Sequence, residues 1–372
     1  MPPVSVLILA PALTPAAGPL ARVLDEARAA LAEHHRRGFI AAGAAEAVVR
    51  REPPDDTPFG ARLRRLSAES LPIGPAGLVV LGAASIPLAA PADRRALVEA
   101  AAGDAPAALA NQRYSADAIA IARADLVLPT LPVDLDSDNA LPRWLAEVAH
   151  LPVRDLRARR RLAMDVDSPL DLLLLEGAPA LAAARLPTPG AVEAALVRAR
   201  LASLRSVAAD PGAELLLAGR LSSADLRWAE RHTRSRTRAL IEERGLRTGP
   251  AGALLGRPNR RPPRTVLGEL LDRDGPGSLG RRVAAIADGA LIDSRVLMAH
   301  RAGADERRWP QPEDRYASDL LLADRVGDPW LAELTAAAAD APVPILLGGH
   351  ALVGPGARLA LGGGPGTRAP RA

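Results

Sequence analysis

Two acidic residues separated by one position, Asp165 and Asp167, open the segment Met164-Asp-Val-Asp-Ser-Pro-Leu-Asp-Leu172. Leu162 to Val166 is apolar enough for a buried strand, and Ser168-Pro169 is a good N-cap and first-turn pair for a helix. Alternate residues of a strand share a face, so both carboxylates can reach one divalent cation. Parallel α/β sheets bind ligands at the carboxyl ends of their strands. A helix N-terminus beside the pair also favours phosphate. This arrangement suits Mg²⁺-assisted chemistry on a nucleotide. The plainer alternative is that Asp167 or Ser168 only caps the helix while Asp165 is solvated.

A second polar cluster, Asn111-Gln112-Arg113-Tyr114-Ser115-Ala116-Asp117, falls on a loop before an apolar run. Asn111, Arg113, Tyr114 and Ser115 are types that read a base edge or clamp a phosphate, or that simply build the loop. Ser137 or Asp138 is a natural cap for the following helix, which makes Asp138 and Asn139 similarly ambiguous. The basic run Arg154, Arg157, Arg159, Arg160 and Arg161 either steers an anion or forms a solvated loop face. It carries no aromatic residue, which argues against nucleic-acid binding. His34-His35 is expected at a helix C-terminus, as a cap. His350 follows Gly348-Gly349 at a strand end, where a lone histidine is either structural or faces a ligand. Arg220, Asp293, Arg295 and Asp319 also fall near strand ends, so the second half has material for a site of its own.

What is missing narrows the chemistry further. All 47 basic residues are arginine, which excludes a Walker-type lysine, a Schiff-base lysine and a lysine nucleophile. Cysteine is absent, so disulfides, thiolate catalysis, cysteine-ligated zinc and iron–sulfur clusters are excluded. There is no G-x-S-x-G elbow and no H-E-x-x-H motif. The pI of about 10.5 reflects arginine's high pKa, because the formal net charge is only +4. The start of the chain lacks a basic region and is proline-rich, unlike an export signal. The apolar stretch Leu170–Ala184 carries Asp171 and Glu176 and is shorter than the roughly 20 residues a membrane helix needs. The expectation is a soluble, cytoplasmic protein with no membrane or nucleic-acid partner.

The elements that must position these residues alternate. Strands are expected at Val4–Ala10, Ala44–Arg50, Gly77–Gly82, Ala116–Ala122 and Leu162–Val166. Helices are expected at Gly18–Arg37 (stopped by Gly38), Pro58–Ser67, Pro91–Ala102 and Asp138–Ala149. Such alternation predicts an α/β fold with a doubly wound, mostly parallel sheet. Leu186 to Gly190 reads as a linker. Beyond it, strands at Ala213–Ala218, Ala290–Asp293 and Val343–Leu347, with helices between them, imply a second α/β half. Thr237–Ile241 is too short to assign, and Gly249–Arg264 reads as a loop. The expected domains are therefore 1–185 and 191–360, with a flexible tail over 361–372.

The stretch Asp165–Leu172 resembles the D-x-D-T-P-x-D-L segment of 2-phospholactate guanylyltransferases and the related N-x-N-T-P-x-D-L form of molybdenum-cofactor guanylyltransferases. Both belong to the nucleotide-diphospho-sugar transferase (GT-A-like) superfamily. Ser137–Glu147, including Asp138, Asn139 and Arg143, occupies the place of that family's turn and following helix. Val153–Leu156 corresponds to its short strand before the metal segment, and Gly82–Pro87, including Ser85, to its substrate loop. The likeness spans about residues 4–178, and Asp165–Leu172 is its most specific part. Two departures stand out. Where the family has a glycine-rich loop ending in lysine, this chain reads Leu9-Ala-Pro-Ala-Leu-Thr-Pro-Ala-Ala-Gly18. The family's metal-binding aspartate after the third strand is also missing from Gly82–Ser85. Arg22 or Arg113 remains to neutralise phosphate.

The resemblance implies a nucleotidyltransferase that moves a nucleotidyl group from a nucleoside triphosphate to a phosphorylated small molecule. Mg²⁺ would be held by Asp165 and Asp167, and Ser85, Asn111, Arg113, Tyr114, Ser115, Asp138, Asn139 and Arg143 would contact nucleotide or substrate. The alternative is a catalytically degenerate relative acting as a nucleotide-binding or scaffold protein. A homo-oligomer is compatible with either.

Overall fold

The computed structural model describes residues 2–14, 17–52, 55–114, 116–244, 246 and 261–362. The expected tail and most of the Gly249–Arg264 loop lie outside the described residues. The first half is a six-stranded sheet in the order β2-β1-β3-β5-β4-β6. Its strands are β1 (Val4–Pro11), β2 (Glu46–Glu52), β3 (Gly77–Gly82), β4 (Ala107–Ala110), β5 (Ala118–Ala122) and β6 (Val153–Asp155). β1 pairs in parallel with both β2 and β3, but β5 runs antiparallel to β3 and β4. The sheet is therefore mixed, while the fold is α/β as expected. Helices α1 (Pro19–Ala41), α2 (Phe59–Ser70), α3 (Pro91–Ala101), α4 (Ala124–Val127) and α5 (Leu141–Glu147) cover it, and α6 (Pro169–Leu174) packs on α1 and into the core of the second half.

Three sequence expectations fail here. No strand forms over Leu162–Val166: Arg160–Ala163 is a 3₁₀ turn, and only a single antiparallel bridge joins Asp165 to Ser85. Gly38 does not end α1, which runs on to Ala41; the Arg94 side chain lies where a Cβ at Gly38 would be. His35 consequently sits inside the helix, fully buried, and does not cap it. Burial, with Arg94 and His34 adding to it, pushes the His35 imidazole down to about 3, so the ring is neutral.

After α7 (Ala191–Ala209), the second half is a four-stranded parallel sheet in the order β10-β9-β7-β8. Its strands are β7 (Glu214–Gly219), β8 (Arg236–Ile241), β9 (Gly289–Asp293) and β10 (Ile345–Gly348). Thr237–Ile241 is thus strand, and all five residues of β9, Asp293 at its end included, are buried, as a central parallel strand requires. Ser222 caps α8 (Ser223–His232) by accepting from Asp225 N–H.

The two halves share a core. Leu20, Leu24, Ala27 and Leu31 of α1 sit in one apolar cluster with Leu170 and Leu173 of α6 and with Leu215, Leu291 and Leu346 of the second sheet. Each such leucine contributes about 1.5–3 kcal/mol when fully buried. The two faces of the first sheet hold separate clusters. The carboxyl ends of β7, β9 and β10 end on Arg220, Asp293 and His350, and the segment carrying Asp165 and Asp167 lies across from them. Among the described residues no helix is long and apolar enough to cross a membrane.

Candidate functional site

Two adjoining clefts of about 170 and 180 Å³ lie where the halves meet, and both are lined by Arg220 and His350. Asp165 and Asp167 contribute one to each. The His350 ring stands between the two carboxylates, with Nε2 3.7 Å from Asp165 Oδ2 and Nδ1 4.0 Å from Asp167 Oδ2. One donor atom from each of the three lies within 4.8 Å of the other two. Their side chains are 12%, 42% and 29% exposed for Asp165, Asp167 and His350, so the cluster opens to the cleft. Asp165 is held by its bridge to Ser85 and by the Val166 N–H, which donates to the Ala84 carbonyl. His350 is aimed by the end of β10, where Gly348 lets that strand close on Leu170.

The start of α6 does not present free N–H groups to a phosphate. Asp171 reaches back to accept from the Asp167 and Ser168 N–H groups at 3.0 and 2.8 Å, closing the terminus with a local carboxyl group. Burial first, then the charges of Asp167 and Asp319, pushes the Asp171 carboxyl up to about 8. The third acid of the segment is thus structural.

Arginines supply the cation side of the cleft. Arg160 donates to Asp225 at 2.6 Å and to Ser222 Oγ at 2.9 Å, joining the halves across one lobe. Arg220 grips Asp293 through two hydrogen bonds of 2.6 and 3.1 Å. Despite the cost of burial, Arg220 holds the Asp293 carboxyl below the usual range. Gly219, at φ 128°, is required there because a Cβ would collide with Asp293. Arg295 is clamped by Asp319 through two bonds of 2.6 Å. Arg28, Arg315 and Tyr316 complete the second lobe; burial and the neighbouring Arg295 lower the Arg315 guanidinium. Arg220, Asp293, Arg295 and Asp319 therefore buttress the shared cleft through pairs with one another.

The sequence-nominated residues divide. Asn139 lines the cleft, together with Gln112 and Asp117 from the cluster that begins at Asn111. Asn111 is buried and holds its loop: Nδ2 donates to the Leu162 carbonyl and to Asp117, and Oδ1 accepts from the Asp117 and Ala118 N–H groups. Asp138 accepts from the Asn139 N–H, and Arg143 lies 3.7 Å from Glu147. Tyr114 is 56% exposed. Among the described residues lining the two clefts, Arg113, Tyr114 and Arg143 are not found. Ser115 lies outside the described residues. The basic run is mostly consumed: Arg159 and Arg161 both bind Asp93, which sits at the start of α3. His350 and Arg160, each weighed in the sequence as either ligand-facing or structural, line the cleft, and Ser222, Asp225 and Arg244 line it without having been singled out as site residues.

The described residues of Leu9–Gly18 give no phosphate cradle, Leu9–Pro11 being the end of β1. The Ala12 N–H donates to the Glu52 carbonyl and the Ala17 N–H to the Thr14 carbonyl. At the start of α1, the N–H groups of Leu20 and Ala21 donate to the two carboxylate oxygens of Glu313, at 2.9 and 3.1 Å. A Cβ on Gly18 would collide with the same carboxylate. An acid from the second half therefore occupies the anion position of the α1 terminus. A larger groove of about 600 Å³ over Gly280, Ala284 and Ala337 lies elsewhere and lacks a comparable convergence of acids and imidazole.

None of the known protein families compared with this chain matches it, and no curated protein matches it either.

Proposed function

We propose that this chain is a divalent-cation-dependent nucleotidyltransferase working in the cleft between its two halves. The observation that carries the reading is the convergence of Asp165 and Asp167 on one point of an arginine-lined cleft. Two carboxylates plus phosphate oxygens are a common holding set for a cation bound with a nucleoside triphosphate. The cation would neutralise charge on the phosphates. In the transfer, an oxygen of a phosphorylated small-molecule acceptor forms a bond to the α-phosphorus as the bond to pyrophosphate breaks, in line. Arg160, Arg220 and Arg244 are placed to offset the phosphate charge in place of the absent lysine. Ser85 supports the reacting region from behind, through its bridge to Asp165.

A second reading, a nucleotide-binding or scaffold protein without turnover, is favoured by one observation: Glu313 occupies the start of α1 beside a proline-bearing loop that makes no cradle. Calorimetric titration of the full chain with each nucleoside triphosphate, with Mg²⁺ or Mn²⁺ present, tests binding. Pyrophosphate release with phosphorylated acceptors then separates the two readings. Binding with release supports transfer, binding without release supports a nucleotide-binding protein without turnover, and no binding to any triphosphate rejects transfer and favours the scaffold.

A further inference from the structure

The Asp165–Asp167–His350 cluster has a donor set that Mg²⁺ does not ask for. Mg²⁺ takes oxygen ligands in a strict octahedron, whereas imidazole nitrogen is a ligand of first-row transition cations. Catalytic metal sites are commonly built on three protein ligands, and Asp165, Asp167 and His350 offer three, two carboxylates and one imidazole. The three donors also come from different halves: the carboxylates from the segment before α6, the imidazole from the end of β10. Neither half carries the full set.

We infer that the cleft holds a first-row transition dication such as Co²⁺, Zn²⁺ or Mn²⁺ through Asp165, Asp167 and His350, and that this ion staples the two halves together. The ring already stands between the two acids, at 3.7 and 4.0 Å, so small side-chain rotations bring all three donors onto one ion. The shared apolar core of α1, α6 and the second sheet fixes the backbone around them. Arg220, which lines both lobes beside His350, is paired with Asp293. His350 then acts as the selecting ligand, and the two aspartates as ligands common to any dication.

The inference rests on the same cleft as the proposed transfer, and its test uses metal alone. Metal-stripped full-length protein is titrated with CoCl₂ and with MgCl₂, without nucleotide, reading affinity by calorimetry and nitrogen ligation by the visible spectrum of Co²⁺. One Co²⁺ per chain is expected, bound more tightly than Mg²⁺. His350→Ala should weaken Co²⁺ by roughly 10-fold or more, the scale seen even for supporting residues around metals, while leaving Mg²⁺ affinity unchanged. His350→Asp, which keeps a polar ligand in place, should weaken Co²⁺ and strengthen Mg²⁺. Unchanged Co²⁺ affinity in His350→Ala, or an equal loss for both ions, overturns the assignment. Co²⁺ bound through His350 in a protein that binds no triphosphate would reject the transfer reading and leave the metal centre standing.

Discussion

At the start of α1 and just before α6, backbone N–H groups are met by a carboxyl group of different origin. At α1 the acid is Glu313, delivered by the second half to Leu20 and Ala21. At α6 it is Asp171, three residues into the same short helix, accepting from Asp167 and Ser168. The difference matters for what remains open. Glu313 takes the anion position of a long helix out of play. Asp171 closes its own helix locally, and thereby turns Asp165 and Asp167 out toward His350 and the arginines. In the proposed reading, guanidinium groups rather than backbone amides would meet the phosphates, as suits a chain rich in arginine and without lysine.

The largest effect that can break this contrast is at the open end. Replacing Asp165 and Asp167 together by asparagine should lower cation–triphosphate affinity by roughly 100-fold, measured by calorimetry, since both are assigned as direct ligands. Retained affinity would mean that the cleft beside α6 is not the binding end. The next largest effect concerns the wall behind it. Arg295→Met leaves Asp319 buried without its clamp and should cost about 3–5 kcal/mol in urea unfolding. A loss below about 1 kcal/mol, the scale of an exposed pair, would show that this wall is solvated.

The contrast was only partly legible in the chain. The spacing of Asp165 and Asp167 announced a shared face, and Ser168-Pro169 announced α6, because both are local signals. The route to that shared face was different: one bridge to Ser85 replaces the expected strand, and such a bridge depends on a partner far away in sequence. The reversed direction of β5 left no mark either, because a fully buried five-residue run reads the same in both directions. Arg159, Arg160 and Arg161 looked like a free basic run, but their partners Asp93 and Asp225 are brought in only by the fold. His350 stood at a visible strand end, while the two acids it meets belong to the other half. Glu313 gave no local hint that it would meet α1.

A smaller effect runs along α1, which joins the two regions. His35, buried in that helix, is held neutral with its imidazole at about 3, below the ordinary 6.5. Between those values the unfolded chain binds a proton that the folded chain does not, so stability rises with pH and is complete above 6.5. It is lost as pH falls toward 3. At about pH 5 the loss from this one group is about 2 kcal/mol. His35→Leu should therefore flatten the acid limb of a denaturation series by that amount. A series that keeps its full slope in the variant would place the acid sensitivity elsewhere.

The smallest expected effect is the most informative about the closed end. Glu313→Gln keeps an oxygen acceptor for one α1 N–H but removes the charge that faces the helix dipole, which should cost about 1 kcal/mol of stability and be salt-sensitive. If arginines of the cleft hold the triphosphate, its affinity should be little changed, because the α1 terminus is not part of the site. If Glu313 instead stands where a phosphate belongs, removing its charge should raise triphosphate affinity. A roughly tenfold gain, about 1.4 kcal/mol, would be enough to reassign the phosphates to α1. The two outcomes, no change against a gain, are distinct, and neither depends on turnover. The substitution therefore decides which of the two helix starts receives the ligand even if the protein is a scaffold.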